Sequence, residues 1–205
     1  MAPAGRVGLV GAGRVVYTSN VAITYRTLPV PAFEEFTARI PAGAVTFGVE
    51  YRRLDETVIL AYYGPDARAR FDNVLPAGFD TGPVDEDGLC LHVFGSADGA
   101  EYLRFDCFEE AAHYHLLDPH ALLNTVIEHD HTVAGPLLDW ALVTLRTQLP
   151  ELLSRAGAPV LAAAVDSERV RTALAEVAAE SRRMLAAGQP VRVAPPRAKA
   201  TAPPR

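Results

Sequence analysis

Leu89-Cys-Leu-His-Val-Phe94, then Gly95-Ser-Ala-Asp-Gly99, then Glu101-Tyr-Leu-Arg-Phe-Asp-Cys-Phe108: this stretch decides the fold. Two runs rich in aliphatic and aromatic residues flank a short loop carrying Asp-Gly, which is a hairpin signature. Successive side chains of a strand point to opposite faces, so Leu103, Phe105 and Cys107 share one face, expected to be the core face. Tyr102, Arg104, Asp106 and Phe108 share the other. Arg104 and Asp106 are therefore expected as an ion pair on a solvated sheet face, of functional interest only where it borders the histidines discussed below.

Upstream, Ala44 to Arg53 alternates, with Val45, Phe47, Val49 and Tyr51 on one face and Thr46, Gly48, Glu50 and Arg52 on the other. Thr57-Val-Ile-Leu-Ala-Tyr-Tyr63 follows a turn-like Leu-Asp-Glu, and the two runs are expected to form a second hairpin. Val15 to Thr18 and Ala22 to Arg26 also read as strand. Residues 64–87 are rich in Gly, Pro and Asp and read as a long connection, with a short helix at Asp66 to Phe71. Downstream, Ala112 to Leu117 reads as a short strand.

The periodicity changes after His131. Pro136 suits a first helical turn and Asp139 suits the positive end of the helix dipole. Leu138, Ala141, Leu142, Leu145, Leu149 and Leu152 recur at helical spacing until Gly157 and Pro159. A second helix follows Asp166-Ser167, with Val170, Ala173, Leu174, Val177, Ser181 and Met184 on one stripe and Gly188 as its stop. Strands first and helices last is the α+β pattern, and an antiparallel sheet covered on one face by two C-terminal helices is the expected architecture. Residues 1–187 are expected to form one α+β domain. Residues 188–205, rich in Pro, Ala and Arg without apolar periodicity, are expected to be disordered, so that truncation at Gln189 leaves thermal stability nearly unchanged.

Charge narrows the function. The 205 residues carry a net charge of −6, and the last eighteen hold four basic residues and no acid, which leaves 15 basic against 25 acidic residues in the body. An acidic body repels phosphate backbones, so nucleic acid is not an expected partner. No apolar run approaches the ~20 residues that span a bilayer. Arg14 interrupts the apolar N-terminal stretch, so a signal peptide is rejected and the cytoplasm is the expected compartment. Cys90 and Cys107 lie in strand-like segments, outside any Cys-x-x-Cys, and are expected as free thiols.

Val7-Gly-Leu-Val-Gly11-Ala-Gly13 resembles the start of a dinucleotide fingerprint, but that site needs a helix after its glycines, and Val15 to Tyr25 favours strand. The histidines carry a stronger signal. Five of the six fall between positions 113 and 131 as His113, His115, His120, His129 and His131, with Asp118, Glu128 and Asp130 interleaved. Residues two apart on a strand point the same way, roughly 6–7 Å apart. Two His-x-His pairs on neighbouring strands could converge on one ion, and a cysteine-free histidine set suits zinc, copper, nickel or iron(II). The candidate ligands are His113, His115, His129 and His131, with His120 in reserve and Glu128 or Asp118 as base or further ligand. Hydrogen-bonded polar histidines without metal are the alternative. No His-Glu-x-x-His and no Gly-x-Ser-x-Gly occurs, and the glutamate a cupin would carry soon after His-x-His is missing.

Leu103-Arg-Phe-Asp-Cys-Phe108, His113-Tyr-His115 and Leu138-Asp-Trp-Ala-Leu142 together resemble a family of uncharacterised bacterial proteins, a domain of unknown function, over about residues 88–155. The resemblance implies a recurring fold unit and no activity. Two functions remain open. A non-catalytic binding or assembly module, pairing with a protein partner or a second copy, is favoured because no acid–base–nucleophile set is readable. The other is a histidine-rich metal-binding protein using zinc or iron, a metal-dependent hydrolase or oxygenase.

Overall fold

The computed structural model describes residues 22–67, 84–109 and 111–188. The glycine-rich stretch at 7–16, the strand expected at 15–18, most of the 64–87 connection and the tail from Gln189 lie outside them.

Seven antiparallel strands form one sheet: β1 (Ala22–Tyr25), β2 (Ala38–Ala42), β3 (Val45–Asp55), β4 (Asp85–Gly95), β5 (Glu101–Phe108), β6 (His113–Asp118) and β7 (Leu123–Glu128). Their order is β1-β7-β6-β5-β4-β3-β2. Strands β2 to β7 thus step across the sheet in sequence, and β1 pairs with β7 at the far edge. The chain leaves β1 at one edge and enters β2 at the other, so residues 26–37 must cross the sheet as a strap. Pro41 sits in β2, an edge strand, where a missing N–H donor is tolerated.

The face carrying Val45, Phe47, Val49, Leu91, Val93, Leu103 and Phe105 is the hydrophobic core. It is covered by α3 (Leu137–Arg155) and α5 (Ser167–Ala187), as the sequence pattern leads one to expect. Leu137, Ala141, Leu145, Leu149 and Leu152 are the buried stripe of α3, while Leu138 and Leu142 lie at its margin, half-buried against the same cluster. Asp166 caps α5 by accepting from the Glu168 and Arg169 N–H groups, and Gly188 ends it at a φ of 70°, a backbone position that favours glycine. Two short helices, α2 (His131–Ala134) and α4 (Pro159–Ala163), complete the connections.

One expectation needs correction. Thr57 to Tyr63 is not a strand: Glu56–Tyr63 forms helix α1. Asp55 accepts from the Val58 N–H at 3.0 Å and Glu56 occupies the first turn, so the residues read as a hairpin spacer are a helix start. The hairpin partner of β3 is instead β4. Between β6 and β7 the chain turns. Asp118 accepts from the His120 and Ala121 N–H groups, Leu122 turns at a φ of 55°, and β7 begins at Leu123.

Candidate metal centre

The face of the sheet away from α3 and α5 is polar and buried. Strand pairing sets its rows. Cys90, Asp106 and His113 pair across β4, β5 and β6, and Glu128 of β7 pairs with His113. His92, Arg104 and His115 form the adjacent row. Glu50, Arg52, Cys90, His92, Arg104, Asp106, His115 and Asn124 are all buried. The strap closes over this face and is held by it: Arg104 donates to Val30 O at 2.8 Å, Arg52 donates to Val30 O and Pro31 O, and Glu50 accepts from the Phe33 N–H. Burying this much charge is tolerated because each group finds an opposite partner.

A β-bulge sharpens one cluster. The pairing of β4 with β5 slips between Val93 and Phe94, so that Phe94 pairs with Glu101 and not Tyr102. The extra residue sends Tyr102 into the hydrophobic core and brings Glu101 onto the polar face, correcting the expected alternation at that end of β5. Glu101 accepts from Arg104 Nε at 2.8 Å and Nη2 at 2.6 Å, a forked pair, and lies 2.6 Å from His92 Nδ1. His92 Nε2 faces Glu50 Oε2 at 3.3 Å. Both ring nitrogens of His92 thus face carboxylates, and only a doubly protonated ring can donate to both. Burial opposes that charge, but Glu101 foremost holds the His92 pKa above its ordinary value.

The second cluster is the candidate centre. Asp106 Oδ2 lies 3.0 Å from His115 Nε2 and 3.3 Å from His113 Nε2. Its other oxygen accepts from the Cys90 thiol at 2.8 Å. One ligand atom each from Asp106, His113 and His115 falls within a 4.8 Å set, the one such group among the described residues. Two atoms bound to one ion at about 2.1 Å lie about 3.0–3.4 Å apart in octahedral or tetrahedral geometry, so both separations fit a shared ion. The remote nitrogens are equally defined: His113 Nδ1 is 2.6 Å from Ala111 O, and His115 Nδ1 is 2.8 Å from Asn124 Oδ1. His113 is the member that reaches solvent, with 21% of its side chain exposed against 5% for His115 and 3% for Asp106.

Burial alone would raise the Asp106 carboxyl, but hydrogen bonds from His113 and His115 hold it well below the usual carboxylate range. Burial works against the charge of His113, yet Asp106 lifts it above the ordinary histidine value. His115 moves the other way, because burial and the neighbouring His113 and Arg104 outweigh the same carboxylate. Beside His113, burial pushes Glu128 up to about 7, against the pull of the His113 charge.

Of the expected ligands, the structure brings His113 and His115 together, with ring centroids 4.9 Å apart. It places His129 on the opposite face: its ring lies 5.3 Å from Trp140 of α3, which also packs on Tyr114, and its Nε2 is 2.7 Å from Gly135 O. The reason is parity. Glu128 pairs with His113 and shares its face, so the next residue, His129, must point to the helices. His131 is exposed at the start of α2, and His120 is exposed beside the Tyr102 hydroxyl. The residue that sequence reasoning left outside the ligand set is Asp106, whose face was legible but whose register against His113 was not. The family model described as Domain of unknown function (DUF7700) matches residues 39–181, a span that contains β3 to β7, all of α3 and α5 as far as Ser181. The chain belongs to that family. Comparison with curated proteins and with solved structures gave no match. Asp106, His113, His115 and Asn124 all lie inside the matched span. No helix among the described residues is long and apolar enough to cross a membrane.

Proposed function

We propose that this is a metal-binding protein whose centre is held by Asp106, His113 and His115, with zinc or iron(II) as the ion. One observation carries the reading. Both Nδ1 atoms face oxygen acceptors, Ala111 O and Asn124 Oδ1. That arrangement places the ring protons on Nδ1 and leaves two Nε2 lone pairs converging on one carboxylate oxygen, the outer-shell device that orients histidine ligands. Two histidines and one carboxylate leave coordination positions open, as catalytic centres do and closed structural sites do not. An ion there supplies Lewis acidity and an activated water, or a site for dioxygen, so a metal-dependent hydrolase or oxygenase is the activity class. Glu128, half-buried across from His113, is the candidate base.

The binding or assembly module is the second reading, and one observation favours it. Without metal, the same groups satisfy each other with protons: a charged His113 donates to Ala111 O and Asp106, and His115 donates to Asp106. On that reading the cluster fixes strand register, and function lies with a protein partner or second copy. We place the protein in the cytoplasm.

Zinc titration of the purified full chain separates the two readings. One ion per chain is expected, with uptake abolished in His113→Ala and His115→Ala and unchanged in His129→Ala and His131→Ala. Equal effects of all four substitutions, or no uptake by the wild type, would remove the metal reading. The pH dependence has a fixed sign. The His113 proton must leave before the ion binds, and the metal-free pKa of His113 is raised. Zinc affinity is therefore expected to fall about tenfold per pH unit below that pKa and to level off above it. An affinity independent of pH between 5.5 and 8 would contradict a His113 ligand.

A further inference from the structure

Asn124 is fully buried on β7, and its Nδ2 makes no regular hydrogen bond among the described residues. A buried amide N–H₂ whose contact, with the Tyr25 hydroxyl, falls short of regular hydrogen-bond geometry calls for an explanation. Its Oδ1 faces His115 Nδ1 at 2.8 Å. On its other side is Tyr25 of β1, the Cα partner of Asn124, whose side chain lies against the amide and whose hydroxyl burial pushes up to about 12. The Tyr25 group is therefore a neutral hydroxyl at any ordinary pH. A hydroxyl both donates and accepts, whereas the two ends of an amide do one each.

Two arrangements of these three side chains follow: the first needs a cation between His115 Nε2 and Asp106 Oδ2, 3.0 Å apart, and the second is satisfied by hydrogen bonds alone. With Oδ1 toward His115, the ring carries its proton on Nδ1, Nδ2–H points to the Tyr25 oxygen, and His115 Nε2 is a free lone pair. With the amide reversed, Nδ2–H donates to an unprotonated His115 Nδ1, Tyr25 O–H donates to Oδ1, and the ring proton sits on Nε2, donated to Asp106. The first arrangement offers a metal ligand and the second offers a hydrogen bond. The move between them is a half-turn of the amide about its last side-chain bond and a shift of one proton from one ring nitrogen to the other, with no change in total charge.

We propose that Asn124, backed by Tyr25, is a reversible amide switch that sets which nitrogen of His115 is protonated and so couples metal binding to the hydrogen bonding of the centre. The proposal rests on the metal reading above and deepens it: Asn124 is a positioning residue, not a ligand. It also accounts for an amide at this buried position. An aspartate there would hold the Nδ1–H form alone, and an aliphatic residue would hold neither.

The test uses the full chain and Zn²⁺ alone. Asn124→Leu removes both arrangements and is expected to weaken zinc binding about 10–100-fold, the range for loss of an outer-shell partner. Asn124→Asp keeps the acceptor and is expected to bind at least as tightly as wild type. Histidine ¹⁵N shifts supply a readout that a merely structural role would not move: His115 is expected as Nε2–H without metal and as Nδ1–H with zinc. The same tautomer in both states, or equal weakening by Leu and Asp, would overturn the switch while leaving the centre intact. Absence of zinc binding by the wild type would instead sink the metal reading, and the switch with it. If Asn124→Leu fails to fold, the wild-type tautomer comparison and Asn124→Asp still decide.

Discussion

Replacing Glu101 by alanine is expected to destabilise the fold by about 3–5 kcal/mol, the range for breaking a buried ion pair from one side. The reason is what it leaves behind. Glu101 is the carboxylate on which the buried Arg104 fork closes, and it faces His92 Nδ1. Without it, a guanidinium that cannot lose its proton stays in the interior, held by Val30 O. Removing the stranded charge as well, in Glu101→Ala/Arg104→Met, is expected to recover part of the loss, since a well-packed apolar pair is often no less stable than the ion pair it replaces. Urea denaturation gives both values, and a single-mutant cost under about 1 kcal/mol would mean that Glu101 faces water. The pH dependence follows with its sign. Burial raises the Glu101 carboxyl, but Arg104 foremost, with His92, outweighs it and holds the group far below its ordinary 4.5. The unfolded chain therefore binds the proton first, so this stabilisation is complete above the unfolded pKa and is lost as pH falls below it. Between pH 5 and 3 the wild type should lose stability more steeply than Glu101→Ala.

On the opposite face, Leu145→Ala is expected to cost about 2–5 kcal/mol through lost burial and the cavity it leaves. Leu145 is 1% exposed in the α3 stripe that covers the sheet. Leu142→Ala, at the half-buried margin, should cost less. Equal costs at the two positions, or a cost at Leu145 within the ~0.5 kcal/mol usual for surface sites, would show that α3 meets the sheet through a different stripe.

What could be read from the sequence follows the reach of each signal. Alternation in Ala44 to Arg53 and in Glu101 to Phe108 identifies strands and faces because it is local, and leucine spacing identifies α3 for the same reason. The same alternation puts Arg104 and Asp106 on the non-core face, where the structure has them. That this face is buried was not legible, because its cover is the strap, whose residues 26–37 carry no periodic pattern and are held through their backbone by Arg52 and Arg104. The bulge at Val93 and Phe94 exchanges Tyr102 for Glu101, which one extra residue suffices to do and which no periodicity reports. In α1 the Asp55-Glu56 helix start prevails over the β-prone Val58-Ile-Leu. For the histidines, spacing showed that the members of each pair share a side. Whether the two pairs share a face depends on the register of β7 against β6, which puts Glu128 and not His129 beside His113. The same pairing rule, applied between β5 and β6, makes Asp106 the third group, and that register is fixed only when the turn after Phe108 is seen.

The central claim is that one ion sits between two Nε2 atoms and one carboxylate oxygen on the polar face. Anomalous diffraction at the zinc edge, from crystals of the full chain grown with zinc, tests it most directly. The account predicts one peak about 2.0–2.2 Å from His113 Nε2, His115 Nε2 and Asp106 Oδ2, with the two Nδ1 atoms facing Ala111 O and Asn124 Oδ1. A centre with no peak at full zinc occupancy of the medium, or a peak at His129 or His131 instead, would contradict it.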